Sequence, residues 1–349
     1  MLQLANVDLR KLIIHRVGNK SMEMGYKLSD QAIDMPAHPD LATILNGYFL
    51  SSFANVPLNH FTHASSLDMN EVYTLAAKIF DSPSSFTKTS KEIAKILYEY
   101  STHPKIKDGE VYIALFKNCV YNDKQVDGIG IFKSENKDTF LRLQFDGADY
   151  VVGYEEGVNI NKLDKGCLIL NTEKANGYVV GIIDNQSKST EAQYWKDEFL
   201  KLKPADDDYH ATRNYLDVCK NFVTTQLEQE YEVNTTDKID FLNKTVAYFK
   251  DNDAFEEDHF LEEVFADNDV IKSFKSYKDE YATSNEVNFG ESFDISNAAV
   301  KKQARVFKSI LKLDKNFHIY IHGNKELIEK GYDAKVGKHY YKIYFDEET

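Results

Sequence analysis

The chain has 349 residues, 42% hydrophobic and 13% aromatic, with 16 glycines and 6 prolines, which supplies material for two packed cores and excludes a disordered or linker-rich protein. Its formal net charge of −14 argues against coating nucleic acid by bulk electrostatics, and no apolar window approaches the roughly 18 residues of a membrane-spanning helix. The start, Met1-Leu-Gln-Leu, lacks a basic end followed by an apolar run, and Cys119, Cys167 and Cys219 are odd in number and widely spaced, so a reduced, non-secreted, cytoplasmic protein is expected.

In chain order, Asp8–Arg16 and Gly25–Ser29 flank Gly18-Asn19 and read as a first hairpin that can add to the edge of a sheet. Asp40 reads as the cap of a helix carrying Leu41, Ile44, Leu45, Tyr48 and Phe49 at spacings of three and four. Asp68 or Asn70 starts a second helix, with Val72, Leu75, Ala76 and Ile79 on one stripe. Thr87 or Ser90 starts a third, with Ile93, Ile96 and Leu97, which stops at His103-Pro104.

From Gly109 to Asp184 the pattern changes to strands: Glu110–Tyr121, Gly128–Ser134, Thr139–Phe145, Tyr150–Tyr154, Gly157–Asn161, Cys167–Asn171 and Tyr178–Ile183. Asn122-Asp123, Asp146-Gly147 and Asn176-Gly177 between them tolerate the positive φ of tight hairpin turns, which predicts an antiparallel meander. Gly128-Ile-Gly130 reads as the start of a hairpin strand, since a dinucleotide fingerprint needs a third glycine and a following helix. Thr190–Leu200 reads as a short helix, and Pro204 with Asp206-Asp207-Asp208 marks a boundary. Beyond it Tyr209–Gln229, Thr235–Phe249, Glu256–Phe265 and Asp269–Tyr281 are amphipathic helices, and from Arg305 onward the chain closes as a short sheet.

The fold class expected is therefore α+β: an antiparallel sheet core flanked by helices over residues 1–203, then over 204–349 an acidic helical bundle closing in a small basic β-sheet module. Charge divides this second half. Asp251 to Asp294 holds 14 acidic residues and 3 lysines, whereas Lys301 to Lys342 holds 11 lysines and arginines and 4 acids.

Lys301, Lys302, Arg305, Lys308 and Lys312 are the candidate DNA contacts. If a helix begun near Ser296 runs that far, Lys301, Arg305, Lys308 and Lys312 line one face; if Val306–Leu313 is a strand, Lys308 and Lys312 still share one. These cations can equally pair with the acidic bundle of the same molecule. Elsewhere, Glu256-x-x-His259, His60-x-x-His63 and His318/His322 have spacings a metal could use, but each reads as well as a solvated helix face, a loop or an exposed strand. No catalytic motif stands out, and no catalytic residue, metal ligand or cofactor is assigned.

Ile160–Asn171, Glu191–Phe199, Leu311–Asn316, Ile328–Asp333 and Tyr340–Phe345 resemble the bacterial nucleoid-associated protein family of the NdpA type, with a similar order of elements along nearly the whole chain. That resemblance implies a protein of the cytoplasm and nucleoid, associated with DNA directly or through a DNA-handling enzyme such as a topoisomerase. It carries over no catalytic residue. The alternative is a metal-dependent nuclease or other nucleic-acid-processing enzyme whose site is assembled from residues distant in sequence.

Overall fold

The computed structural model describes residues 2–54, 56–185, 194–285, 287–304, 307, 310–320 and 327–347, with 310–312 described through their backbone. Two compact units divide the chain, Met1–Ala205 and Asp206–Thr349.

The first unit contains, in order, β1 (Leu2–Gln3), β2 (Asp8–Val17), β3 (Tyr26–Lys27), β4 (Ile33–Asp34), α1 (Pro39–Leu50), β5 (Leu58–Phe61), α2 (Glu71–Asp81), α3 (Phe86–Tyr100), β6 (Gly109–Tyr121), β7 (Lys124–Ser134), β8 (Asp138–Phe145), β9 (Tyr150–Gly157), β10 (Lys165–Leu170), β11 (Val179–Asp184) and β12 (Leu202–Pro204), with a π-helical turn at Tyr194–Leu200. Its antiparallel sheet runs β12-β5-β11-β10-β7-β6-β2-β3, with β1 on β6 and β4 on β2. The first hairpin forms as expected, through Arg16 opposite Lys27 and Val17 opposite Tyr26. Asn122 and Asp123, at φ 48 and 62, make the two-residue turn joining β6 to β7, where Tyr121 faces Lys124.

The sheet is covered on both sides, which explains why its central strands are continuous apolar runs. Val111, Ile113, Ile129, Ile131, Cys167 and Ile169 pack with α2, α3 and Trp195. Tyr112, Ala114, Phe116, Phe132, Leu168 and Leu170 pack on the other side with Tyr48, Phe49 and Phe53. Phe49 stacks on Phe132 at 4.3 Å, and Gly130 makes room for that ring: a Cβ there would lie 2.3 Å from it. Gly128 and Gly130 thus lie inside β7 rather than at its start.

Four local expectations are corrected. The meander is interrupted: β7 pairs with β10, while among the described residues β8 and β9 pair only with each other. Gly157–Asn161 supplies the end of β9 and a turn, not a strand of its own. Helix α1 begins at Pro39 with Asp40 inside its first turn, and its Leu41 and Ile44 are exposed while Tyr48, Phe49 and Leu50 are buried. Helix α3 begins at Phe86 after Ser85, so Thr87 and Ser90 lie within it; proline-led turns before α1 and α3 start these helices where side-chain caps were expected. Asn70, in contrast, caps α2 by accepting from the Tyr73 amide at 3.0 Å, and Val72, Leu75, Ala76 and Ile79 are all buried.

The second unit contains α4 (Asp208–Asn221), a π-helical segment (Phe222–Gln226), α5 (Leu227–Glu230), α6 (Thr235–Asp251), β13 (Ala254–Glu256), α7 (Glu257–Val264), α8 (Asn268–Asn285), β14 (Ser292–Asp294), α9 (Asn297–Ala304), β15 (Ile310–Leu313), β16 (Phe317–Tyr320), β17 (Ile328–Asp333) and β18 (Lys338–Ile343). Asp207 caps α4 and Asn234 forms a reciprocal capping box with Asp237 at the start of α6. Aromatic rings dominate the core, with Tyr215, Phe222, Tyr248, Phe249, Phe255, Phe260 and Phe274 all buried. The chain closes as two separate hairpins, β15–β16 and β17–β18, rather than one sheet; Leu313, Ile319, Ile328 and Tyr341 gather around Ile239 of α6.

Candidate nucleic-acid interface

Helix α9 buries Ala299 and Val300 and leaves Lys301 and Lys302 exposed in its last turn, where cations oppose the partial negative charge of the helix C-terminus. The Ser296 amide donates to Thr212 Oγ1 at 3.0 Å, and Gln303 Nε2 donates to Asp217 Oδ1 at 3.1 Å, so both ends of this short helix are tied to α4.

The helix runs through Ala304, and Lys312 lies on strand β15 opposite His318. A single helical face running from Lys301 to Lys312 is therefore not formed. The reason is tertiary: Leu313 and Ile319 of the β15–β16 hairpin pack, half-buried, against Ile239, and Asp314 takes φ 46 to turn the chain there. Arg305 and Lys308 lie outside the described residues, as does His322.

The closing hairpins and the residues just after them expose aromatic rings among their lysines: Phe317, Tyr320, Tyr332, Tyr340, Tyr344 and Phe345 are all exposed. Lys342 Nζ lies 4.4 Å from the Tyr344 ring centroid and 3.6 Å from Glu329. Its hydrogen bond to the Tyr344 hydroxyl, then Glu329, pushes its pKa up. Lys301, Lys302, Lys315, Lys330, Lys335 and Lys338 are exposed and, among the described residues, make no ion pair.

The acidic stretch satisfies its own cations instead. Its three lysines pair within it: Lys272 with Asp269 at 3.4 Å, Lys275 with Asp258 at 3.1 Å and Lys278 with Glu257 at 2.5 Å. Glu257 is nearly buried and also accepts from the Tyr215 hydroxyl at 2.7 Å; burial, then this carboxylate, drives the tyrosine pKa up.

The histidine spacings resolve into local contacts. His60 Nδ1 donates to the Tyr178 carbonyl at 2.8 Å, whereas His63 Nδ1 accepts from the Ser65 amide at 3.2 Å. Glu256 ends strand β13 while His259 is in α7, so that pair does not have helical spacing. Among the described residues, no group of three or more His, Cys, Asp or Glu side chains is arranged to hold a metal ion.

Two features escaped sequence reasoning. One is a buried charged row at the end of the first unit's sheet, where Lys133 of β7 is opposite Lys165 of β10, which is opposite Asp184 of β11. Lys133 Nζ donates to the Lys107 carbonyl at 2.6 Å and to Glu135 Oε1 at 2.8 Å, and Lys165 Nζ reaches both Asp184 oxygens at 2.8 and 2.9 Å. Burial pushes the Lys133 pKa down against the pull of Glu135, and pushes Tyr194, whose hydroxyl lies 3.4 Å from Glu135, up. Lysines at the ends of otherwise apolar strands were the available signal. The other feature is the detached β8–β9 ribbon, hidden because its alternation looks like any half-buried strand.

Fold and surface together define a two-unit α+β protein whose second unit exposes lysines and aromatic side chains on its closing hairpins. Among the described residues no helix is long and apolar enough to cross a membrane. The family model described as nucleoid-associated protein YejK matches residues 13–338, and the chain belongs to that family. The comparison with curated proteins found no match.

Proposed function

We propose that this protein works at the nucleoid, in the cytoplasm, as a non-catalytic binding protein that contacts DNA through the cationic surface of its second unit. Lys301, Lys302, Arg305, Lys308 and Lys312 form the contact, with the lysines of the closing hairpins as a second row. The observation that carries this reading is the set of lysines, Lys301, Lys302, Lys315, Lys330, Lys335 and Lys338, that are exposed and, among the described residues, make no ion pair, in a unit whose closing hairpins also expose Tyr320, Tyr332 and Tyr340. Phosphates accept from such cations and sugars pack on such rings, with no base-reading element required. Weak sequence preference and strong salt dependence follow.

The test is DNA affinity as a function of salt for the full chain and for the variant carrying Lys301→Ala, Lys302→Ala and Lys338→Ala. Each lost phosphate contact flattens the slope of log affinity against log salt by roughly 0.9, so a change of up to about 2.7 is expected, similar across DNA sequences. An unchanged slope in a folded variant would overturn the assignment.

The acidic stretch supports a second contact, with protein. Carboxylates repel phosphate and steer a basic partner, such as a DNA-handling enzyme of the topoisomerase class, toward the bundle. Charge reversal of the exposed Asp258 and Glu263 should weaken capture of such an enzyme from nuclease-treated lysate and leave DNA affinity unreduced. Loss of DNA affinity instead would count against this division of labour.

A further inference from the structure

The β8–β9 ribbon leaves the first unit's sheet after Ser134 and rejoins it at Lys165, and among the described residues neither strand pairs with any other. Its register sorts its side chains into two different faces. On one, Leu141 faces Tyr154, Leu143 faces Val152 and Phe145 faces Tyr150, with Thr139 opposite Glu156 at its base. On the other, Phe140 faces Glu155, Arg142 faces Gly153 and Gln144 faces Val151, and Arg142 Nη1 bonds Glu155 Oε1 at 2.8 Å. The six apolar residues of the first face are between 57% and 75% exposed. A lone two-stranded hairpin is marginal in water, and monomeric proteins rarely leave a contiguous apolar surface of this kind open.

We propose that this ribbon is a dimerisation arm, and that its apolar face packs on the same face of a second copy of the chain. Size supports that occupant: six such side chains present on the order of 800 Å² per copy, which matches one side of a standard stable interface. Shape supports it too. The smallest pair, Leu143 and Val152, is central, with bulkier pairs at both ends. Two twisted ribbons packed face to face approach most closely at the middle, so a two-fold axis over Leu143 and Val152 sets Phe145 and Tyr150 of one copy over Leu141 and Tyr154 of the other.

Tip-to-tip packing would crowd the Asp146 and Asp149 carboxylates of both copies, whereas tip-to-base packing separates those four by about a strand length, roughly 27 Å. The ribbon as a whole has Asp138, Asp146, Asp149, Glu155 and Glu156 against Arg142, which disfavours DNA and an anionic lipid surface and makes the pairing of two copies tighten with added salt. The second face, where Phe140 and Val151 are interspersed with Gln144 and the Arg142–Glu155 ion pair, is the more polar of the two, so the first face is the one that needs covering.

Sedimentation equilibrium of the full chain tests this. A species of twice 40.1 kDa is expected for the unmodified protein, and Leu143→Glu with Tyr154→Glu should weaken self-association at least 100-fold while the unit still melts cooperatively. Gln144→Glu, on the polar face, should leave the dimer intact. In a second measurement, Leu143→Cys should form a covalent dimer under mild oxidation and Gln144→Cys should not. A protein that is monomeric at tens of micromolar overturns the proposal. So does a dimer that survives the double substitution, or a ribbon protected from exchange only when a different protein is bound.

Discussion

The ammonium of Lys133 lies 2.8 Å from the carboxylate of Glu135, with the lysine side chain wholly withdrawn from water and the glutamate nearly so. Such a pair costs more to break than it contributes, because removing one partner strands the other charge in a low-dielectric site. Lys133→Met should therefore destabilise the first unit by about 3–5 kcal/mol, through Glu135 and the orphaned Lys107 carbonyl. Adding Glu135→Gln should recover part of that loss, which a double-mutant cycle by urea unfolding will measure.

Acid should weaken the joint between β2 and α3. His15 is buried; the Ser29 amide donates to its Nδ1 at 3.1 Å, so Nε2 carries the proton toward Ser90 Oγ at 3.0 Å. Burial first, then Lys91, lowers its pKa to about 4 from 6.5. Because the folded value is below the unfolded one, the contribution is complete above pH 6.5 and is lost as pH falls toward 4. The loss should reach roughly 2–3 kcal/mol. His15→Gln should flatten the stability profile over that window, and an unchanged profile would refute the assignment.

Cys119, Cys167 and Cys219 are free and buried, and burial raises all three thiols, Cys119 to about 12. At pH 8 the native protein should react with a thiol reagent at least about 1,000-fold more slowly than the unfolded chain, as the raised pKa alone implies. Rapid native labelling of any one of them would contradict its placement.

Gly177 sits at φ +107, and a Cβ there would lie 2.3 Å from the Phe61 carbonyl oxygen, while its own carbonyl accepts from the Phe61 amide at 2.9 Å. Gly177→Ala should cost on the order of 2–4 kcal/mol by strain and by loosening β5 against β11. Gly153→Ala, with open space around its Cβ, is the control and should be near neutral in thermal melts.

We propose that the units on either side of Ala205 and Asp206 fold independently. The Ala205 amide donates to the Leu58 carbonyl in the first unit, while the Asp207 side chain caps α4 in the second. Expressed separately, residues 1–205 and 206–349 should each unfold cooperatively. An unfolded fragment of either would refute this.

The sequence by itself determined what is local. Apolar runs and the Asn122-Asp123 turn specified β6 and β7, and Asn70 with its stripe at Val72, Leu75, Ala76 and Ile79 specified α2, because these depend on backbone conformation within a few residues. The resemblance read from scaffold-like motifs pointed to the nucleoid-associated family that the match over residues 13–338 establishes. Which strands pair was a different matter. Thr139–Phe145 and Tyr150–Tyr154 read as strands like their neighbours, yet β10 takes the place beside β7, since Cys167 and Ile169 on one face and Leu168 and Leu170 on the other are all buried there, whereas the ribbon carries Arg142, Gln144 and Glu155 on one of its faces. Tertiary packing likewise decided that Lys133 and Lys165 are buried, and that Lys312 stands on a strand rather than on a helix continued from Lys301. Burial and pairing are properties of partners far apart in the chain, and no window of sequence contains both.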